Sequence, residues 1–149
     1  MKRRDHARVR QALGVTAAIG FGAAQAQPAP SVNYTSFEAT SAKATQIGYY
    51  ATVNKDCSPA PAPNIRVVEP PKAGVFIVKP GELTTTRVKG CGAVKAPARI
   101  LFYQARAGAA GADHFVYEII DVSGSVGAYD VTITIKELPR VPTGADKPI

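Results

Sequence analysis

The chain has two histidines, His6 and His114. General-base chemistry needs a hydroxyl or thiol held against an imidazole, with a carboxylate orienting the ring. His114 has Asp113 beside it, but no G-x-S-x-G elbow is present to offer a serine. On an alternating strand His114 points to the face opposite Phe115 and reads as a surface residue. The acidic candidates are Asp113, Glu118, Asp121 and Asp130. Asp121 and Asp130 are expected to approach each other across the last hairpin, an oxygen pair of the kind a hard cation uses. The D-x-D or D-x-N runs of calcium sites are missing. There is no H-E-x-x-H and no histidine cluster, and Met1 is the only methionine, so no transition-metal or thioether copper site is expected. Gly108 to Gly111 precedes a strand rather than a helix, so it offers no phosphate cradle. The expectation is a protein that is not an enzyme, with no catalytic residues, cofactor or metal.

The start of the chain bears on where it works. Lys2, Arg3, Arg4, Arg8 and Arg10 precede an uncharged, largely apolar stretch ending in Ala24-Gln25-Ala26. Basic flank, short apolar run and small-residue exit are the parts of a secretory signal peptide, read here over residues 1–26. A retained amphipathic helix and an organelle transit peptide are the alternatives. The apolar run is shorter than the roughly 20 residues a membrane-spanning helix needs. The localisation expected is periplasmic or secreted, with no membrane span after signal removal. The chain carries 18 Lys and Arg against 11 Asp and Glu. Without the leader's five cations and one acid, 13 basic and 10 acidic residues remain, a net of +3. That balance does not suggest nucleic acid, which is bound by a concentrated basic stripe. Lys72, Lys79, Lys89, Lys95, Arg99 and Arg106 read as solvated surface. Gathered into a patch, they would suit an anionic envelope polymer.

Cys57 and Cys91 are the only cysteines. In an exported chain, two cysteines make one bridge with nothing left over. Free thiols or half of a metal site are the alternatives, but there is no C-x-x-C and no histidine cluster.

Residues 27–45 are rich in Pro, Ser, Thr and Ala and read as a flexible arm, with Tyr34 and Phe37 able to tuck on as a first edge strand. From there, strand-like runs alternate with turn signals. Runs are expected over residues 46–53, 65–68, 75–78, 83–88, 99–104, 114–121 and 129–136, with Pro80-Gly81 stopping the third. The last is the cleanest, with Val131, Ile133 and Ile135 facing in and Thr132, Thr134 and Lys136 facing out. Prolines 59, 61 and 63 exclude both helix and central strand from the segment around Cys57. About seven short strands without helical periodicity argue for an all-β antiparallel sandwich over residues 46–137, with residues 138–149 a flexible tail.

Gly111-Ala112-Asp113-His114-Phe115-Val116-Tyr117-Glu118-Ile119 resembles the G-x-D-x-[apolar]-x-Y-x-[apolar] signature of Ig-like and cadherin-like modules in secreted bacterial proteins. Tyr103 through Ala107 resembles the Y-x-P-like approach that precedes it, Asp121-Val122-Ser123-Gly124 the turn that follows it, and residues 131–135 the final strand. Pro70-Pro71-Lys72-Ala73-Gly74 resembles the P-x-x-G approach to an earlier strand. The resemblance implies an Ig-like sandwich in which Gly111, Asp113 and Tyr117 are structural. Tyr117 would be a corner tyrosine whose hydroxyl returns to an upstream backbone group. No cysteine stands two residues after Tyr117 and the chain has no Trp. The antibody-type core bridge is therefore absent, and Cys57 and Cys91 must staple loops or an edge.

These readings lead to a non-catalytic exported module that binds an envelope or extracellular protein, or plays a structural role there. Its end loops and sheet edges would do the work. The alternative is a periplasmic protein that binds a small molecule or glycan, marked by a concave apolar pocket. Weak self-association through edge strands is a further expectation.

Overall fold

The computed structural model describes residues 31–139. The expected leader lies outside them. Of the expected tail only residues 138 and 139 are described, without regular structure. The chain forms β1 (Val32–Thr40), β2 (Ala44–Ala51), β3 (Asn64–Glu69), β4 (Gly74–Thr85), β5 (Val94–Ala105), β6 (Gly111–Ile120) and β7 (Val126–Lys136), with no helix among the described residues. One sheet has the order β1-β7-β6-β3, the other β2-β5-β4. They pack face to face as an all-β sandwich.

Period-two alternation sets the inner faces. β6 turns Asp113, Phe115 and Tyr117 inward, and β7 turns Val131, Ile133 and Ile135 inward. β5 answers from the other sheet with Leu101, Tyr103 and Ala105. An aromatic stack fills the space between: Tyr103 against Phe115, Phe76 against both Phe115 and Tyr117, and Tyr117 against Tyr129, with ring centroids 5.1 to 5.9 Å apart. Offset stacking at such spacing adds to the burial of large apolar area.

Three expectations are corrected. Residues 32–40, read as part of a flexible arm in which Tyr34 and Phe37 could tuck on as a first edge strand, form that edge strand, β1, which pairs parallel with β7 from Val32↔Ala128 to Thr40↔Lys136. Of the inward residues Thr35, Phe37 and Ala39 only Phe37 is large and apolar, so the period is faint. This parallel pair also makes the sandwich not wholly antiparallel. At Ser41 the chain leaves that sheet for β2. The Ser41 hydroxyl donates to Arg106 O and accepts from Gly108 N, and its amide donates to Lys136 O. Second, the run at 75–78 and the first half of the run at 83–88 are one strand, β4, which passes through Pro80-Gly81 and ends at Thr85. Arg106 N donates to Ala73 O, which sets the phase of the β4–β5 ladder, because paired residues alternate between bonded and non-bonded. Pro80 pairs with Arg99 in a non-bonded position. Its missing N–H therefore faces the free edge, where proline is tolerated. Third, β5 begins at Val94 and includes Pro97, which lies beyond the last β2 pairing at Ala51↔Ala98. The expected total of about seven strands is met by a different set: two runs merged, and the arm supplied the seventh.

Candidate functional site

The pairings place the start of β3, β5 and β7 and the end of β2, β4 and β6 at one end of the sandwich. Three connections meet there: residues 52–63, 86–93 and 121–125, with lengths of 12, 8 and 5. The opposite end has connections of 3, 4 and 5 residues, at 41–43, 70–73 and 106–110. The longer set is built as a rigid surface. Cys57 and Cys91 are bridged, with Cα atoms 5.6 Å apart, so the two longest loops are stapled together. The bridge therefore joins loops, as the Pro and Gly around both cysteines implied.

Within the first loop, Asn54 N donates to Ser58 O, Cys57 N to Asn54 O and Ala60 N to Thr52 O. Val53 and Pro59 form an antiparallel bridge. The Asp56 carboxylate accepts from Ser58 N at 3.1 Å and from the Ser58 hydroxyl at 2.6 Å. Those bonds hold its pKa below the ordinary carboxylate value. Cys57 takes φ 66°, a left-handed conformation that the tight turn imposes on a residue other than glycine. Arg99 Nε donates to Pro63 O and anchors the loop's exit. The third loop repeats the device. Asp121 accepts from Ser123 N, the Ser123 hydroxyl and Ser125 N, which again lowers its pKa. Among the side chains left outward are Lys55, Pro59, Pro61, Arg87, Lys89 and Val122, the last 57% exposed.

The motif residues sit at the other end and in the core. Gly111 opens β6 at φ 92°, where a side chain is disfavoured. Asp113 is 6% exposed and accepts four hydrogen bonds: from Lys72 N, Ala73 N and His114 N, each at 2.9 Å, and from the Tyr103 hydroxyl at 2.8 Å. Burial pushes its pKa up, but these donors outweigh burial, and the net shift is downward. Gly74 lets this network form. A Cβ there would lie 2.5 Å from Gln104 O and 2.6 Å from the Tyr103 ring and hydroxyl. Tyr117 is buried, yet its hydroxyl meets the Tyr50 hydroxyl at 2.8 Å and not an upstream backbone group. The expected corner tyrosine at Tyr117 is therefore not formed. The tyrosine tied to the turn before β4 is Tyr103, through Asp113. Burial raises the pKa of both Tyr103 and Tyr117.

His114 is not a bare surface histidine. Its Nε2 lies 2.8 Å from Asp130 on β7 and its Nδ1 3.7 Å from Glu69 on β3. The Asp130 hydrogen bond raises its pKa against a smaller opposing effect of burial. Asp121 and Asp130 do not meet: Asp121 closes the β6–β7 turn, while Asp130 pairs with Val116 well along the ladder. The six basic residues do not form one patch. Lys72 and Arg106 sit at the short-loop end, Lys89 and Lys95 at the other, Lys79 lies over the Phe102 ring, and Lys95 pairs with Glu82. Among the described residues, no group of three or more His, Cys, Asp or Glu side chains could hold a metal ion, and no helix is long and apolar enough to cross a membrane. Sequence reasoning placed Tyr103 only in the approach to the motif, without its bond to Asp113, and missed Tyr50 and Ser41. Only their positions against strands distant in sequence give them roles.

Comparison with known proteins finds no matching family model, curated protein or solved structure.

Proposed function

We propose that the chain is an exported, non-catalytic Ig-like module that holds an envelope or extracellular protein against its stapled loop end. The observation that carries this reading is the disulfide between residues 52–63 and 86–93 at the end with the longer connections. Binding loops on a rigid scaffold gain affinity when they are ordered before contact, because less conformational entropy is lost on association. A bridge between two loops and an Asx turn in each of two loops supply that order. The Ig-like part of the proposal rests on strand order. β2-β5-β4 and β7-β6-β3 follow the B-E-D and G-F-C orders of Ig sandwiches, with β1 added beside β7. In antibody variable domains, loops at one end of such a sandwich do the binding.

Three of the four sheet edges are protected against pairing between copies. β4 carries Pro80 toward its free edge, β2 is bulged between Gln46 and Gly48, and β3 is bulged between Val67 and Glu69 with prolines on both flanks. Such devices blunt strand addition. Export is supported by the disulfide, which persists in oxidising compartments. The test is in-cell photo-crosslinking from single positions in the full chain. Probes at Lys55, Lys89 and Val122 should capture one common protein, and a probe at Ala110 on the opposite end should not. Capture from Ala110 alone, or from none of the four, would refute the loop-end reading.

A further inference from the structure

The outer face of the three-stranded sheet carries a groove at its loop end. A cavity of about 240 Å³ there is lined by Tyr49 of β2 and by Leu83, Thr84, Thr85, Thr86 and Arg87 at the end of β4 and the start of the loop after it. The register places Tyr49 and Leu83 on the same outer face. A Cβ on Gly81 would lie 2.6 Å from Ile100 Cδ1, so glycine lets the Ile100 side chain lie flat on that face beside Tyr49.

We propose that this groove binds a carboxylated sugar unit. Tyr49 is 46% exposed and offers a ring face to the C–H face of a pyranose. Thr84 and Thr86 are exposed, and each can donate or accept a hydrogen bond to sugar hydroxyls. The Thr85 hydroxyl is already used, accepting from Arg87 N at 3.1 Å, and this contact fixes the start of the arginine's backbone at the groove. Arg87 is exposed and pairs with no carboxylate among the described residues. A guanidinium beside a hydroxyl-rich, aromatic groove selects a carboxylate, which it can bind with two parallel hydrogen bonds. Neutral sugars would gain the ring and the hydroxyls but not the charge-assisted pair.

The groove shares Thr86 and Arg87 with the loop end, but its ligand is a small molecule, and its NMR readout is separate from the crosslinking that tests the protein-binding reading. The test is an NMR titration of the full mature chain with a glucuronate-terminated disaccharide and with its glucose-terminated counterpart. Shifts should concentrate at Tyr49 and residues 83–87, with the charged sugar bound about tenfold more tightly, as one charge-assisted pair would give. Arg87→Gln should remove that preference and leave the weaker neutral binding. Tyr49→Leu, which keeps apolar volume but removes the flat ring, should weaken both sugars. An unchanged dispersion of amide signals outside the groove shows that each variant is folded. Shifts elsewhere or none, equal affinity for the two sugars, or a full preference retained in Arg87→Gln would each overturn the proposal.

Discussion

Replacing Asp113 with Asn tests the organisation of the sandwich most severely. Each carboxylate oxygen accepts two hydrogen bonds: Oδ1 from Lys72 N and His114 N, Oδ2 from Ala73 N and the Tyr103 hydroxyl. Asn has the same shape, but one oxygen becomes an NH₂ donor. With the NH₂ at the Oδ1 position, Lys72 N and His114 N face a donor; at the Oδ2 position Ala73 N does, while the Tyr103 hydroxyl can turn to accept. Hydrogen bonds to a charged acceptor contribute about 1.5–3 kcal/mol each, and a buried donor left without a partner costs about 1–3 kcal/mol. Relaxation recovers part of this, so the expected loss is about 2–4 kcal/mol, or roughly 10–20 °C in Tm for a domain of this size. Urea unfolding at neutral pH reads it directly. Tyr103→Phe should cost about 1–2 kcal/mol, and the two changes should be non-additive, since they share one bond. The pH dependence has a defined sign. The folded-state pKa of Asp113 is depressed, so its contribution is complete above the unfolded carboxylate value, near 4, and is lost as pH falls through the folded value. Asp113→Asn should therefore flatten part of the acid limb. A loss below about 0.5 kcal/mol, or full additivity with Tyr103→Phe, would refute the assignment of Asp113 as the node that fastens the turn before β4 to β6.

Gly74→Ala should destabilise by about 1–3 kcal/mol, the usual range for overpacking, because its Cβ meets backbone as well as the Tyr103 ring. Thermal melts would show it, and Gly92→Ala, where a Cβ meets nothing within 4 Å, is the control. Cys57→Ser with Cys91→Ser should lower stability by up to roughly 4 kcal/mol, the chain-entropy value for a loop of 34 residues. Hydrogen exchange should speed up first in residues 52–63 and 86–93. The folded-state pKa of His114 is raised, so its ion pairs stabilise fully below the unfolded value near 6.5 and fade as pH rises through the folded value. The group is 41% exposed, which limits the effect to a few tenths of a kcal/mol. His114→Gln should remove that step from a plot of Tm against pH. Tyr117→Phe should cost about 1 kcal/mol through the lost Tyr50 contact, with Tyr50→Phe costing the same and the pair no more than either.

Strong alternation made β6 and β7 legible in the sequence. Phe115, Tyr117, Val131, Ile133 and Ile135 are large, apolar and two residues apart, and burial of one face fixes them. β1 was nearly invisible because its inward positions are Thr35, Phe37 and Ala39, and its partner is nearly a hundred residues away. Pro80-Gly81 reads as a turn in isolation. Only its place on a free edge, known once β5 pairs on the other side, lets the strand continue. The disulfide followed from counting cysteines, but its role as a staple between the two longest loops followed from topology. Asp113 was singled out by its motif, whereas its four donors come from three separate segments of chain. Tyr117 shows the opposite failure. Its burial was readable, but its hydroxyl partner depends on Tyr50, on the facing sheet. The loop end could be recognised only after both sheets were assembled, because residues 52–63, 86–93 and 121–125 share no pattern.

Hydrogen exchange on the complex with the protein captured by crosslinking would test the proposed role most directly. Protection on binding should concentrate in residues 52–63, 86–93 and 121–125 and leave the β4 edge and residues 106–110 unchanged. Protection confined to the β4 edge or to the short-loop end would contradict the account.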